Sequence, residues 1–217
     1  AMGEMIGNIA HQWRQPLSQV SGLFFDIESA YDYKELDKKY LSNRVDEAND
    51  LLEYMSRTID DFRDFFSPNS IKEEFLVIDA INSALKIVDS TLVFYKIDIY
   101  TSVDLQYKIN GYKNEYSQAI VNVISNAKDI LIDRKIKKPT IKIYLEESEK
   151  VQLCIEDNAG GVDNEIITKI FDPYFTTKYD YGTGIGLYMT KLIIEEKMNG
   201  TITVTNSSHG AVFKLKV

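Results

Sequence analysis

Two apolar seams run through the first 66 positions and restrict that stretch to paired helices. In the first, Ile6, Ala10, Trp13, Leu17, Val20, Phe24, Ile27 and Tyr31 step by four and three residues. In the second, Leu41, Val45, Ala48, Leu52, Met55, Ile59, Phe62 and Phe66 do the same. Such stepping marks a coiled-coil seam. The first helix is predicted over about Gly3 to Tyr33, with the polar run Asp32 to Lys39 as a turn. Pro68, within Ser67-Pro68-Asn69-Ser70, stops the second helix. A two-helix hairpin cannot cover its own stripe. A homodimer in which two hairpins form a four-helix bundle is the economical solution, and packing on the rest of the same chain is the alternative.

One side chain stands apart from the first seam. At ~100° per residue, His11 lies roughly 160° from the seam's centre, with Gln15 and Ser18 on the same outward face. It is therefore expected to face solvent. Pro16 removes the backbone bond to the carbonyl of Gln12. This reads either as a tolerated kink or as a bend placed one turn after a reactive side chain.

The periodicity changes near residues 67–74, which divides the chain into residues 1–68 and 69–217. The second part reads as mixed α and β. Phe75 to Ile78 is a predicted strand, followed by a helix capped by Asp79 and running to about Asp89, then a strand from Lys96 to Val103. Asn114 to Asp133 is a predicted helix, Thr140 to Glu146 and Val151 to Glu156 are strands, and Glu165 to Ile170 is a short helix. After a loop, Gly186 to Met198 is helical, and Thr201 to Asn206 with Ala211 to Val217 form closing strands. The fold class is thus α+β, and 44% hydrophobic residues in 217 suffice for a core. A net charge of −8 argues against nucleic acid or an anionic membrane as the main partner. The single Cys154 excludes a disulfide framework, and no apolar run is long enough to span a bilayer. These features are those of a soluble cytoplasmic fragment. The first seam is already running at Ile6, so a sensor domain or membrane segment is expected upstream, compatible with attachment of a longer protein to the inner membrane.

Three clusters are hard to explain as packing. Asn122 and Asn126 share one helix face at i, i+4, and carboxamide oxygens suit a hard cation such as Mg²⁺ bridging nucleotide phosphates. Asp157-Asn158-Ala159-Gly160-Gly161 follows a strand. A carboxylate there can accept from an exocyclic amine while the glycines let backbone approach a planar ligand. Gly182-Thr183-Gly184-Ile185-Gly186-Leu187 opens a helix, where flexible backbone and free N–H groups make an anion cradle. The triplet follows no strand of a βαβ unit and lacks the Gly-Lys-Ser/Thr ending of a P-loop.

In this order the motifs resemble the sensor histidine kinases of two-component systems. His11-Gln12-Trp13-Arg14-Gln15-Pro16-Leu17 is similar to the phosphoacceptor box and Asn122 to Ala127 to the N box. Asp157 to Gly161 is similar to the first glycine box, Phe171 to Phe175 to the F box, and Gly182 to Leu187 to the second glycine box. The resemblance implies a dimerisation and histidine-phosphotransfer hairpin followed by an α/β sandwich ATP-binding domain of the Hsp90, gyrase, MutL and histidine kinase type. It implies that Asp157 reads the adenine amino group, with Ala159, Gly161, Phe175, Thr183 and Leu187 also in the ATP site. It further implies that Asn126, assisted by Asn122, holds Mg²⁺, that Gly182, Gly184 and Gly186 hinge an ATP lid, and that Lys178 in that lid meets phosphate. The implied activity is autophosphorylation of His11 by ATP and transfer to an aspartate of a response regulator receiver domain, with response-regulator phosphatase activity as an accompaniment. Four positions depart from the family pattern. Gln12 replaces an acidic residue credited with orienting the ring and accepting its proton. Gln15 stands where Thr or Asn is frequent and could orient a water. Ala159 replaces a glycine. Asp129 occupies the place of a lysine, as in the nitrogen-regulation and dicarboxylate-sensor branch. Gln12 and Ala159 motivate the alternative of a dimeric signalling module that binds ATP but is catalytically weak.

Overall fold

The computed structural model describes residues 2–65, 71–147, 151–177 and 184–217, with side chains described except at 2–15, 53–54 and 57–65. The chain divides into two compact units, one formed by Ala1–Asp64 and the other by Phe65–Thr176 with Gly184–Val217.

The first unit holds helices α1 (Met2–Asp32) and α2 (Lys38–Phe65). The α1 helix continues through Pro16. Its end is closed by Lys34 in the left-handed region and by the Glu35 N–H donating to Ala30 O at 2.8 Å. Asp37 caps α2, its Oδ1 accepting the Tyr40 N–H at 2.6 Å. Arg44 of α2 bridges Glu47 at 2.9 Å and reaches Asp26 of α1 at 3.9 Å. Along α1, Val20, Leu23 and Ala30 are buried, whereas the seam residues Leu17, Phe24 and Tyr31 remain 48%, 63% and 71% exposed.

The second unit is a two-layer sandwich. Strands β2 (Asp98–Ser102), β4 (Thr140–Glu146), β5 (Gln152–Asp157), β7 (Ala211–Lys216) and β6 (Thr201–Asn206) form one mixed sheet in the order β2-β4-β5-β7-β6. Only the β2–β4 pair is parallel. Alternation sends Ile141, Ile143, Leu153, Ile155, Phe213 and Leu215 to the buried face. Against them pack α3 (Val77–Phe94), α4 (Lys113–Asp133) and α5 (Gly186–Lys191), which continues as a π-helical stretch over Leu192–Lys197. The core residues of α4, Ala119, Ile120, Val123, Ile124, Ala127 and Leu131, recur at helical spacing. A two-stranded ribbon pairs β1 (Glu73–Leu76) with β3 (Lys108–Gly111). Cys154 lies buried in the sheet, and burial pushes its thiol up to about 12, so it behaves as a packing residue.

This arrangement agrees with the expected α+β sandwich and corrects several local expectations. Asp79 is not the cap of α3. The helix starts at Val77, whose N–H is already satisfied by Tyr107 O at 3.0 Å, so no side-chain cap is required. The same helix runs on to Phe94 rather than ending near Asp89. Residues 165–170 are a chain of turns, with Ile166 and Ile167 N–H groups sharing Asp163 O, instead of a regular helix. Strand β3 escaped notice because its residues are polar apart from Ile109, and pairing with Phe75 across the ribbon defines it.

Candidate functional site: a clamped loop after β5

The β5 strand ends on Asp157, a carboxylate buried beneath the loop that follows. Its Oδ1 accepts the Ala159 N–H at 2.7 Å and the Ala211 N–H at 3.3 Å. Oδ2 carries no hydrogen bond from the described residues. Burial raises the Asp157 pKa, while the two amides and the nearby Arg134 guanidinium pull it back.

The loop is clamped from three sides. Asn158 reaches outward, accepting the Thr140 N–H at 2.9 Å and donating to Lys138 O at 2.8 Å. Asn206 does the same for Val162, accepting its N–H at 2.8 Å and donating to its carbonyl at 2.7 Å. Arg134 donates to the carbonyls of Ala159 and Gly161. Gly160 and Gly161 lie at φ +92° and +85°, and a Cβ on Gly161 would meet Asn206 Oδ1 at 2.6 Å. Ala159 is not among the left-handed residues and is buried, so that position needs no glycine.

Across the unit, α4 presents the two asparagines in unequal roles. Asn122 Nδ2 donates to Gly186 O at 3.1 Å and its Oδ1 accepts from Gln118 at 3.3 Å. Asn126 Nδ2 donates to the Asn122 carbonyl at 2.9 Å, and its Oδ1 takes no hydrogen bond from the described residues. Thr190 Oγ1 also donates to Gly186 O, at 2.8 Å, so that one carbonyl anchors the start of α5 to α4. Two residues earlier, Gly184 at φ +64° accepts the Tyr174 N–H at 2.8 Å. Tyr174 itself is left-handed at φ +68°. Its neighbour Phe175, like Leu187, is half-buried against the core, and Phe171 meets Phe213 edge-on at 6.3 Å. Lys128 pairs with Asp129 at 3.0 Å on α4.

Of the expected residues, Asn122, Asn126, Asp157, Ala159, Gly161, Phe175, Gly184, Gly186 and Leu187 all belong to this unit. Lys178, Gly182 and Thr183 lie outside the described residues, whereas His11, Gln12 and Gln15 lie on α1 with side chains that are not described. Sequence reasoning missed Arg134 and Asn206, which act on main-chain groups far away in the chain and belong to no short motif.

Residues 111–217 match the family described as histidine kinase-, DNA gyrase B- and HSP90-like ATPase. The two-component sensor PprA of Pseudomonas aeruginosa is 26% identical over all of this chain and 24% of its own length. The signal transduction histidine-protein kinase AtoS of Escherichia coli is 26% identical over 99% of this chain and 34% of its own. The chain thus spans between about a quarter and a third of these relatives' lengths. The catalytic domain of histidine kinase ThkA superposes on 67% of this chain and 95% of its own, with a TM-score of 0.58 and 25% identity. ThkA solved with response regulator protein TrrA covers 100% of this chain and 61% of its own, with a TM-score of 0.67 and 23% identity, a likeness of fold. Residues 111–217 are thus matched as an ATPase domain of the histidine kinase-, DNA gyrase B- and HSP90-like type, and the chain as a whole is similar along its length to curated sensor histidine kinases.

Proposed function

We propose that this chain autophosphorylates on His11 with ATP and passes the phosphoryl group to an aspartate of a response regulator receiver domain. The observation that carries the reading is the convergence, in one ATPase-type unit, of a buried carboxylate with a free oxygen at Asp157 and a carboxamide with a free oxygen at Asn126. Asp157 Oδ2 would accept from the adenine 6-amino group, with Ala159, Gly161, Phe175, Thr183 and Leu187 around the nucleotide. Gly182, Gly184 and Gly186 would hinge the lid, with Lys178 on phosphate. Mg²⁺ fits the donor set at Asn126, and Asn122 supports it through the backbone of Asn126's own turn and Gly186. When bound, the ion neutralises phosphate charge.

In the proposed step the unprotonated ring nitrogen of His11 attacks the γ-phosphorus in line. The N–P bond forms as the bond to the β-bridging oxygen breaks, ADP leaves, and the other ring nitrogen then loses its proton. Such a transfer needs mainly positioning and charge neutralisation. Residues 1–68 would serve as the dimerisation and phosphotransfer domain and 69–217 as the catalytic domain. The exposed seam residues Leu17, Phe24, Tyr31, Leu41, Val45 and Leu52 support a homodimeric four-helix bundle. Solution of ThkA with a response regulator supports the receiver domain as partner, and Gln15 would orient a water for phosphatase activity. Among the described residues no helix is long and apolar enough to cross a membrane.

Incubation with γ-labelled ATP and Mg²⁺ tests the reading. Label that is acid-labile, base-stable and absent from His11→Gln is expected. Nucleotide binding without any label would replace it with the non-catalytic signalling module.

A further inference from the structure

The loop after β5 turns two carbonyls toward the end of α4, and one side chain takes both. Arg134 Nη1 donates to Ala159 O at 2.5 Å and to Gly161 O at 2.9 Å. Between them the Gly160 N–H donates to His209 O at 2.9 Å. Ala159 is therefore held at both ends, its N–H by Asp157 and its carbonyl by Arg134. The anchor is itself fixed by the way α4 ends. Lys135 at φ +52° donates to Ile132 O at 2.9 Å and Ile136 donates to Leu131 O at 3.1 Å. That double closure locks the backbone from which Arg134 projects.

We propose that Arg134 is a positioning residue that sets purine selectivity. By gripping the Ala159 and Gly161 carbonyls it aims Asp157 Oδ2 at the exocyclic 6-amino group of the base. This rests on the nucleotide reading given above. A guanidinium suits the task because its charge is permanent and the two N–H groups of Nη1, which serve the two carbonyls, are held in the guanidinium plane, whereas an ammonium is a compact point charge on a flexible stem. The same positive charge favours the ionised form of Asp157, the form that accepts from an amine and repels a 6-oxo group.

The test compares MgATP with MgITP, whose base carries oxygen in place of the 6-amino group, by calorimetric titration of the whole chain alongside thermal melts. Wild type is expected to prefer ATP. Asp157→Asn, offering both donor and acceptor, should lose most of the preference. Arg134→Met should narrow the ATP:ITP affinity ratio by about tenfold, the scale set by losing charge-assisted hydrogen bonds. Arg134→Lys should fall between, and adding Arg134→Met to Asp157→Asn should narrow the ratio no further. Equal weakening of both nucleotides in Arg134→Met, or an unchanged ratio, overturns the proposal and leaves Arg134 a structural brace. If Arg134→Met fails to fold, Arg134→Lys decides, and a wild-type ratio there overturns it. A wild-type chain that binds neither nucleotide overturns the nucleotide reading itself. Discrimination retained in the Arg134 variants overturns only the role of Arg134.

Discussion

Gly184→Ala concentrates two separate penalties at the bend before α5. At φ +64° a residue with a side chain costs roughly 1–2 kcal/mol relative to the right-handed region. The new Cβ would also stand 2.4–2.7 Å from the carbonyl carbon, oxygen and Cα of Tyr174. These are backbone atoms, in a residue already left-handed, so the contact is relieved only by moving the segment. Movement breaks the 2.8 Å bond from the Tyr174 N–H to Gly184 O, worth about 1 kcal/mol net. The sum is about 2–3 kcal/mol. If the whole fold bears it, the melting temperature falls by roughly 4–12 °C for a chain of this size. If the segment yields locally, stability is kept, but Gly186 is pulled off Asn122 and MgATP affinity drops by about 30- to 150-fold. Thermal melts and titration calorimetry on the same sample separate the two outcomes. A melting temperature within a degree of wild type, together with affinity within about threefold, would refute the reasoning.

Asn126→Asp should abolish Mg²⁺-dependent nucleotide binding by altering the one free carboxamide oxygen of the pair, and unchanged affinity with and without the ion would show the ligand is misplaced. The raised pKa of Asp157 makes the ATP:ITP preference pH-dependent. The ionised carboxylate accepts from the 6-amino group and the protonated one donates to a 6-oxo group. The ratio should therefore decline on acidification with a midpoint above the ordinary aspartate value of ~3.9, and a midpoint at or below that value contradicts this. Lys96→Gly removes a left-handed penalty at the end of α3, where Lys96 sits at φ +54°, and after the unfolded-state entropy of glycine is charged it should stabilise by about 0.5–1 kcal/mol in denaturant unfolding. Gln12→Glu should raise the initial rate of His11 labelling without altering MgATP affinity, and a parallel change in both would place Gln12 in nucleotide binding.

What was legible in the chain was whatever is coded by neighbours in sequence. Asp157 at a strand end before paired glycines, and Asn122 one turn before Asn126, declare themselves through local spacing. The same spacing conceals that the asparagines divide their work, since Asn122 spends both ends of its carboxamide on Gln118 and Gly186. That division depends on a carbonyl 64 residues away. Arg134 and Asn206 were invisible for the same reason: they recognise main-chain atoms, which every residue has, across 25–27 and 44 residues. The end of α3 was misread, since Lys96 takes the left-handed position that glycine usually advertises, with Ile97 donating to Leu92 O at 2.9 Å.

The two departures that favour a catalytically weak module now carry different weight. A glycine is required only where φ is positive, and the loop meets that requirement at Gly160 and Gly161 while Ala159 adopts ordinary backbone and buries its methyl group. The alanine therefore leaves the loop's geometry intact and gives no reason to doubt nucleotide binding. In the proposed reaction at His11, Gln12 would bear on the chemistry instead. Above the usual histidine pKa of ~6.5 the ring is neutral and one nitrogen already has its lone pair, so attack on phosphorus needs no base. The charge problem arises afterwards, when the new N–P bond makes the ring cationic until its other N–H proton leaves. A neighbouring carboxylate would stabilise that cation and take the proton, whereas a carboxamide oxygen can only accept a hydrogen bond. In the proposed reaction the substitution would thus act on the product-forming half of the step, which is why its effect is expected in the rate of labelling and not in the affinity for ATP.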